Sequence, residues 1–212
     1  MDRTTSDTAL SRRGVTSRDG TTLGTLTMVA GAMFVLGGLV SLATDWAWPA
    51  LLVGFALLVY VVPRVHRVQA PADGMPGRLG APLTAAGAAI VLLLGVVFLV
   101  WDAVGDPGEA AWVDVLWMLG FFGFLVGIVL FAIGSAMAHV VPRGAPLLML
   151  LGLVAAVAID MATGAFFEDD ATTTEWGFYI GIPLFGLGLA WMGWALRSEL
   201  SSARPSGAER QA

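Results

Sequence analysis

The sequence predicts an all-α protein, a polytopic transmembrane bundle of six helices, and three observations predict it. Hydrophobic residues make up 57% of the 212 residues and charged residues only 13%, about half the charge of a soluble domain; the mean hydropathy of +0.80 agrees. Six apolar runs reach the length of about 20 residues that crosses hydrocarbon, and none alternates as a strand would. The 11 basic residues, all arginine, fall only in the two tails and in every second connection. One transmembrane domain over 23–197 is expected, flanked by polar tails at 1–22 and 198–212 whose composition suits disorder.

The first run, 23–43, follows a tail holding Arg3, Arg12, Arg13 and Arg18 and leads to Asp45. Ser41-Leu42-Ala43 offers the small residues of a cleavage site, but the run is longer than a signal-peptide core and reads as a retained anchor. The arginine pair in SRRGVTS (11–17) lacks the apolar residues that follow a twin-arginine signal. The second run, 49–66, leads into Arg64, Arg67 and Arg78; the third, 81–101, into Asp102, Asp106, Glu109 and Asp114. The fourth, 114–138, precedes Arg143. The fifth, 146–167, precedes Glu168, Asp169, Asp170 and Glu175, and the sixth, 176–196, precedes Arg197, Arg204 and Arg210. Arginine marks the cytoplasmic side, so both termini are expected inside a cell membrane. Trp46, Trp48, Trp101, Trp112, Trp117 and Trp176 fall near the outer ends, as an interfacial belt does.

Two tetrapeptides recur. VVPR stands at 61–64 and 140–143, and GAPL at 80–83 and 144–147. Pro63 and Pro142 are expected to help end the second and fourth helices, and Pro82 and Pro146 to sit in the first turn of the third and fifth. Residues 25–45 set over 82–102 share eight identities in 21 positions, among them Thr27 with Thr84, Gly38 with Gly95 and Asp45 with Asp102; apolar composition alone gives roughly 3 to 4. The chain reads as three tandem two-helix units, 23–67, 79–143 and 144–197, or as a bundle in which Pro-Arg is simply a good helix stop at an interface.

Gly123 with Gly127, and Gly177 with Gly181, have the spacing that lets helix backbones approach closely, which suits packing inside the bundle or, alternatively, a dimer face. Pro183 removes one ladder bond in the sixth helix and predicts a kink. Asp160 stands about 9 Å below the Phe166-Phe167 boundary by helical rise. An ionised carboxylate there is expensive and usually faces the bundle interior. Gly152, Ala156, Asp160, Thr163 and Gly164 form one small-residue stripe. Asp160 with Thr163 is therefore a candidate proton or cation site; the plain alternative is a hydrogen-bonded or protonated acid near a helix end. Asp45, Asp102, Glu168, Asp169 and Asp170 could attract cations, or could form the solvated acidic face that the charge bias itself produces.

Other chemistries find little support. Cysteine and lysine are absent, which excludes disulfides, thiolate sites and Schiff bases. His66 and His139 could hold a haem axially, but beside VVPR they are expected to cap helix ends or face water, and no third ligand completes a zinc site. Phosphate loops and hydrolase motifs are missing, and scattered arginines form no nucleic-acid face. No cofactor or enzymatic activity is expected. GIPLFGLGLAWMGWALRSE and VVPRGAPLLMLLG resemble a broad group of small six-helix bacterial membrane proteins of unassigned function. The three-unit plan is similar to that of acid-resistance membrane proteins built from two-helix repeats, although the long acidic second outer connection departs from it. Two functions are carried forward. One is a non-enzymatic membrane protein serving helix packing and partner or envelope interactions, its partners the bilayer and either a second copy or another membrane protein. The other is a small carrier or channel for a proton, cation or solute, with Asp160 near the path.

Overall fold

Long apolar runs become helices because a helix satisfies its own backbone groups in hydrocarbon. The computed structural model of the protein describes residues 17–44, 48–104, 111–163 and 176–202. They form six helices and, among the described residues, no strand: α1 (Ser17–Val40), α2 (Trp48–Gln69), α3 (Gly74–Val104), α4 (Ala111–Ala138), α5 (Gly144–Thr163) and α6 (Trp176–Ser202). Each is long and apolar enough to span a membrane. The helices form a closed ring in chain order, α6 returning to α1. One end of the bundle carries the arginine-bearing turns α2–α3 and α4–α5; the other is the acidic end.

Glycine decides which neighbours touch closely. Gly24, Gly31 and Gly38 recur at seven residues along α1, and the space a side chain would fill is taken by α6: the Gly193 carbonyl and Arg197 amide at Gly24, the Ala190 amide at Gly31, the Pro183 ring at Gly38. Gly120, Gly127 and Gly134 recur in the same way along α4 and face Ile90, Thr84 and Gly77 of α3. On α6, Gly186 and Gly193 face α1, whereas Gly181 and Gly188 face α5. A seven-residue period is the one that keeps a contact row in register between helices wrapping left-handedly. The closest pairs are accordingly α3·α4, α1·α6 and α5·α6; α1 packs more extensively on α6 than on α2, and α4 and α5 touch least of all ring neighbours. The second and third two-helix units are thus tight pairs, while the first is looser. Thr27 and Thr84, matched in the α1/α3 alignment, are both fully buried. Each hydroxyl donates to the carbonyl four residues back, Leu23 at 2.8 Å and Gly80 at 2.7 Å.

The repeated tetrapeptides do not play equal parts. Pro63 does not end its helix; α2 runs through it to Gln69. The ladder bond to Val59 is lost there, and the Arg64 guanidinium donates to the next carbonyl, that of Tyr60, at 3.0 Å while lying 3.4 Å over the Tyr60 ring. Pro82 likewise lies well inside α3, on its exposed face, and not in its first turn. The second copies behave as the sequence suggests. α4 stops at Ala138, His139 turns the chain at φ 55, and Pro146 falls in the first turn of α5. The tails are also shorter than composition predicts. α1 starts at Ser17 and α6 continues to Ser202, and close packing of Gly24 on the Arg197 backbone holds these two helix ends together.

Candidate functional site

Four phenylalanines close the bundle near its middle. Phe34 of α1, Phe55 of α2, Phe124 of α4 and Phe185 of α6 form a cycle of edge-to-face contacts, with centroids 5.1 Å apart for Phe34–Phe55 and Phe34–Phe185, 5.4 Å for Phe55–Phe124 and 6.1 Å for Phe124–Phe185. Edge-to-face pairing is the arrangement the ring quadrupole favours. Gly54 makes room for it: a side chain there would press on the Phe34 ring.

Above this plug, in the acidic-end half of the bundle, lies a cavity of about 530 Å³. All six helices line it, including Trp48, Phe55, Trp117, Phe121, Phe124, Phe178 and Tyr179, with Ser41, Thr44 and Asp160 as further polar contributors. The void sits where α4 and α5 fail to close on each other. Its size falls within the roughly 300–1,000 Å³ of small-molecule sites, and its apolar wall with a few polar groups is their usual chemistry.

Asp160 is partly buried on that wall. Its Oδ1 accepts the backbone N–H of Gly177 at 2.7 Å, in the first turn of α6, where the helix dipole favours an anion. Gly177 permits this approach, because a side chain at 177 would fall on the carboxylate and on the Ala156 carbonyl. Thr163, paired with Asp160 as a candidate site from the sequence, does not donate its hydroxyl to the carboxylate. Thr163 Oγ1 turns back on its own helix, donating to the Ile159 carbonyl at 3.0 Å and the Asp160 carbonyl at 3.3 Å, the nearest acceptors for a threonine at that spacing. Gly152, Ala156 and Asp160 do form a row against α6: Gly152 abuts the Phe185 amide and Gly181 carbonyl, and Gly181 abuts Ala156.

The other residues singled out from the sequence divide. Gly127, Gly177 and Gly181 each touch a neighbouring helix directly, whereas the nearest atom to a side chain at Gly123 would be the Gly87 Cα at 3.8 Å. Asp45, Glu168, Asp169 and Asp170 lie outside the described residues, as does the side chain of Asp102. The two histidines have separate partners: His139 is paired with the Met137 carbonyl and Arg143, and His66 with Asp73. No group of three or more metal-ligating side chains occurs among the described residues. Asp73, Gln69 and Ser135 stand outside the residues singled out from the sequence. The signal that could have marked them is an Asp-Gly helix start seven residues after a histidine. No family model, curated protein or solved structure matches the chain.

Proposed function

We propose that this integral membrane protein is a non-enzymatic binder and carrier of small amphipathic solutes, and that its cavity takes a lipophilic organic cation. The observation that carries this reading is a carboxylate, Asp160, set on the wall of a cavity otherwise lined mainly by aromatic and aliphatic side chains, eight of them aromatic rings. Ring faces attract cations by their quadrupole, more strongly when water is excluded, and Asp160, the one acid among the described lining residues, supplies the compensating charge. In this reading the phenylalanine cycle is the barrier between the cavity and the arginine-bearing end, and the acidic connections raise the local cation concentration. The test is binding of tetraphenylphosphonium to detergent-purified protein, read by quenching of tryptophan fluorescence, since Trp48 and Trp117 line the cavity. Saturable quenching is expected, weakened about tenfold in Asp160→Asn, which corresponds to about 1.4 kcal/mol. Quenching that does not saturate, or that is equal in both proteins, would refute it.

One observation favours a second reading, in which Asp160 is only a structural cap: its bond to Gly177. On that reading Asp160→Asn lowers stability by about 0.3–1 kcal/mol through the α6 terminus and leaves cation affinity unchanged, so the same variant separates the two.

The orientation proposed is with both termini in the cytoplasm of a cell membrane, supported by the arginines gathered at one end. The chain has no cysteine, so Ala72→Cys, exposed on the α2–α3 turn, gives a unique label site. It is expected to react with an impermeant maleimide only after cells are opened; reaction on intact cells would invert the topology.

A further inference from the structure

The arginine-bearing end holds a buried polar cluster that the cavity does not use. His66 Nδ1 lies 2.6 Å from Asp73 Oδ2, with side chains 21% and 0% exposed. Ser135 of α4 donates to Gln69 Oε1 at 2.9 Å, and Gln69 is 1% exposed. Two atoms of this cluster, Asp73 Oδ1 and Gln69 Nε2, are buried without a partner. Leaving such groups unpaired is costly.

The local sequence explains the arrangement. α2 runs through Pro63 to Gln69, so His66 stays helical and one turn from the hairpin. The Asp73 amide donates to the Gln69 carbonyl at 3.2 Å, and Gly74 takes the left-handed φ of 62 that starts α3. Asp73 thus occupies the position whose side chain ordinarily accepts an N–H from the second or third helical residue. The third is Pro76, which has none. The carboxylate turns instead into the space left by the missing side chain of Gly77 and meets His66. Gly134 of α4 closes on Gly77 and brings Ser135 alongside.

We infer that His66 and Asp73, held to α4 by Gln69 and Ser135, form a proton-binding site at this end of the bundle. A carboxylate withdrawn from water needs a proton or a compensating charge, and among the described residues no other charged side chain is paired with it. Arg64 and Arg67 on α2 and Arg78 on α3 are exposed, Arg64 engaged with Tyr60. Asp102 of α3 and Asp114, the single charge on α4, are at the opposite end, and α1 carries only Arg18 and Asp19 in its first turn. With both ring nitrogens protonated, His66 makes the pair neutral; with one, the buried pair carries a full negative charge. The proton enters at Nε2 from water, through the exposed fifth of the imidazole, and no other bond changes. This site stands independently of cation binding in the cavity.

The experiment uses the full chain in phospholipid nanodiscs with His139→Gln, which leaves His66 as the sole histidine, labelled with ¹⁵N in the ring. Across about pH 5 to 8, the range in which histidine exchanges protons, Nδ1 is expected to stay protonated while Nε2 takes up one proton. In Asp73→Ala the Nδ1 proton loses its acceptor, so the neutral ring should no longer hold its proton at Nδ1. A proton held at Nδ1 as firmly in Asp73→Ala, or a parent ring that never takes up the second proton, would overturn the assignment. Should Asp73→Ala not fold, the parent protein still decides: a bare Nδ1 throughout the range sinks the pair, and a retained Nδ1 proton with uptake at Nε2 upholds it.

Discussion

Gly31→Ala is expected to lower the stability of the bundle by about 1–3 kcal/mol, the range for forcing atoms into a packed interior, while Gly123→Ala changes it little. Both add one methyl group to a glycine inside a spanning helix. At Gly31 that carbon falls on the Ala190 amide nitrogen and the Gly186 carbonyl of α6, with the Ala190 Cα at 2.9 Å. These are backbone atoms, which cannot rotate away, so α1 and α6 must separate. The contact is reciprocal, since a side chain on Gly186 would meet the Gly31 carbonyl at 2.5 Å. At Gly123 the nearest atom is 3.8 Å away, an ordinary contact, and alanine is the better helix former. Thermal unfolding in a fixed detergent checks the difference. Equal loss in both variants would mean that the cost of the added methyl does not come from the α1·α6 backbone contact at Gly31.

That contrast also shows what the sequence exposes and what it hides. Six spans follow from hydropathy because the bilayer imposes a length on every one of them. Their ends are less legible, because packing extends them: α1 and α6 run past the apolar stretch where each holds the other's end. The glycine rows are written in the sequence at 24, 31 and 38 and at 120, 127 and 134. Among 27 glycines, however, the four-residue pair Gly123 and Gly127 is as visible as the seven-residue row, and only the helix facing decides that Gly127 touches α3 while Gly123 does not.

Asp160 is legible as a residue and not as a bond. Depth and stripe place it on the inner face of α5. Its partner, the Gly177 amide, is a backbone group on another helix, and no side-chain pattern announces it. Asp73 is hidden for a different reason. Proline at 63 and at 82 suggests that both helices stop short of the turn, which leaves 64–80 as a basic connection. Once the helices run on through both prolines, the same residues become a packed hairpin, and His66, Gln69 and Asp73 fall inside it. A rule about proline that holds in water is weaker in a membrane bundle, where neighbouring helices and side chains can satisfy the freed backbone groups.

Phe34→Ala is expected to have the largest effect of any single substitution, a loss of about 3 kcal/mol, near the lower end for removing a buried phenylalanine. The lower end applies because unfolded segments stay in lipid or detergent, so the gain from leaving water is absent and the loss is mainly of contacts across a void. Phe34 is 1% exposed, stacks edge-on with both Phe55 and Phe185, and also lines the cavity. Its removal therefore deepens the cavity toward the arginine-bearing end and breaks the aromatic cycle at two of its four contacts. Phe34→Leu keeps most of the volume and should recover most of the stability, forfeiting about 0.5–1.5 kcal/mol for each edge-to-face pair. In liposomes the two variants separate barrier from fold. If the cycle is the barrier, Phe34→Ala passes tetraphenylphosphonium faster than the parent protein and Phe34→Leu does not, even when both are assayed well below their melting temperatures. If Phe34→Ala is destabilised but no more permeable, the cycle holds the helices together and the barrier lies elsewhere, closer to the hairpin where α2, α3 and α4 meet.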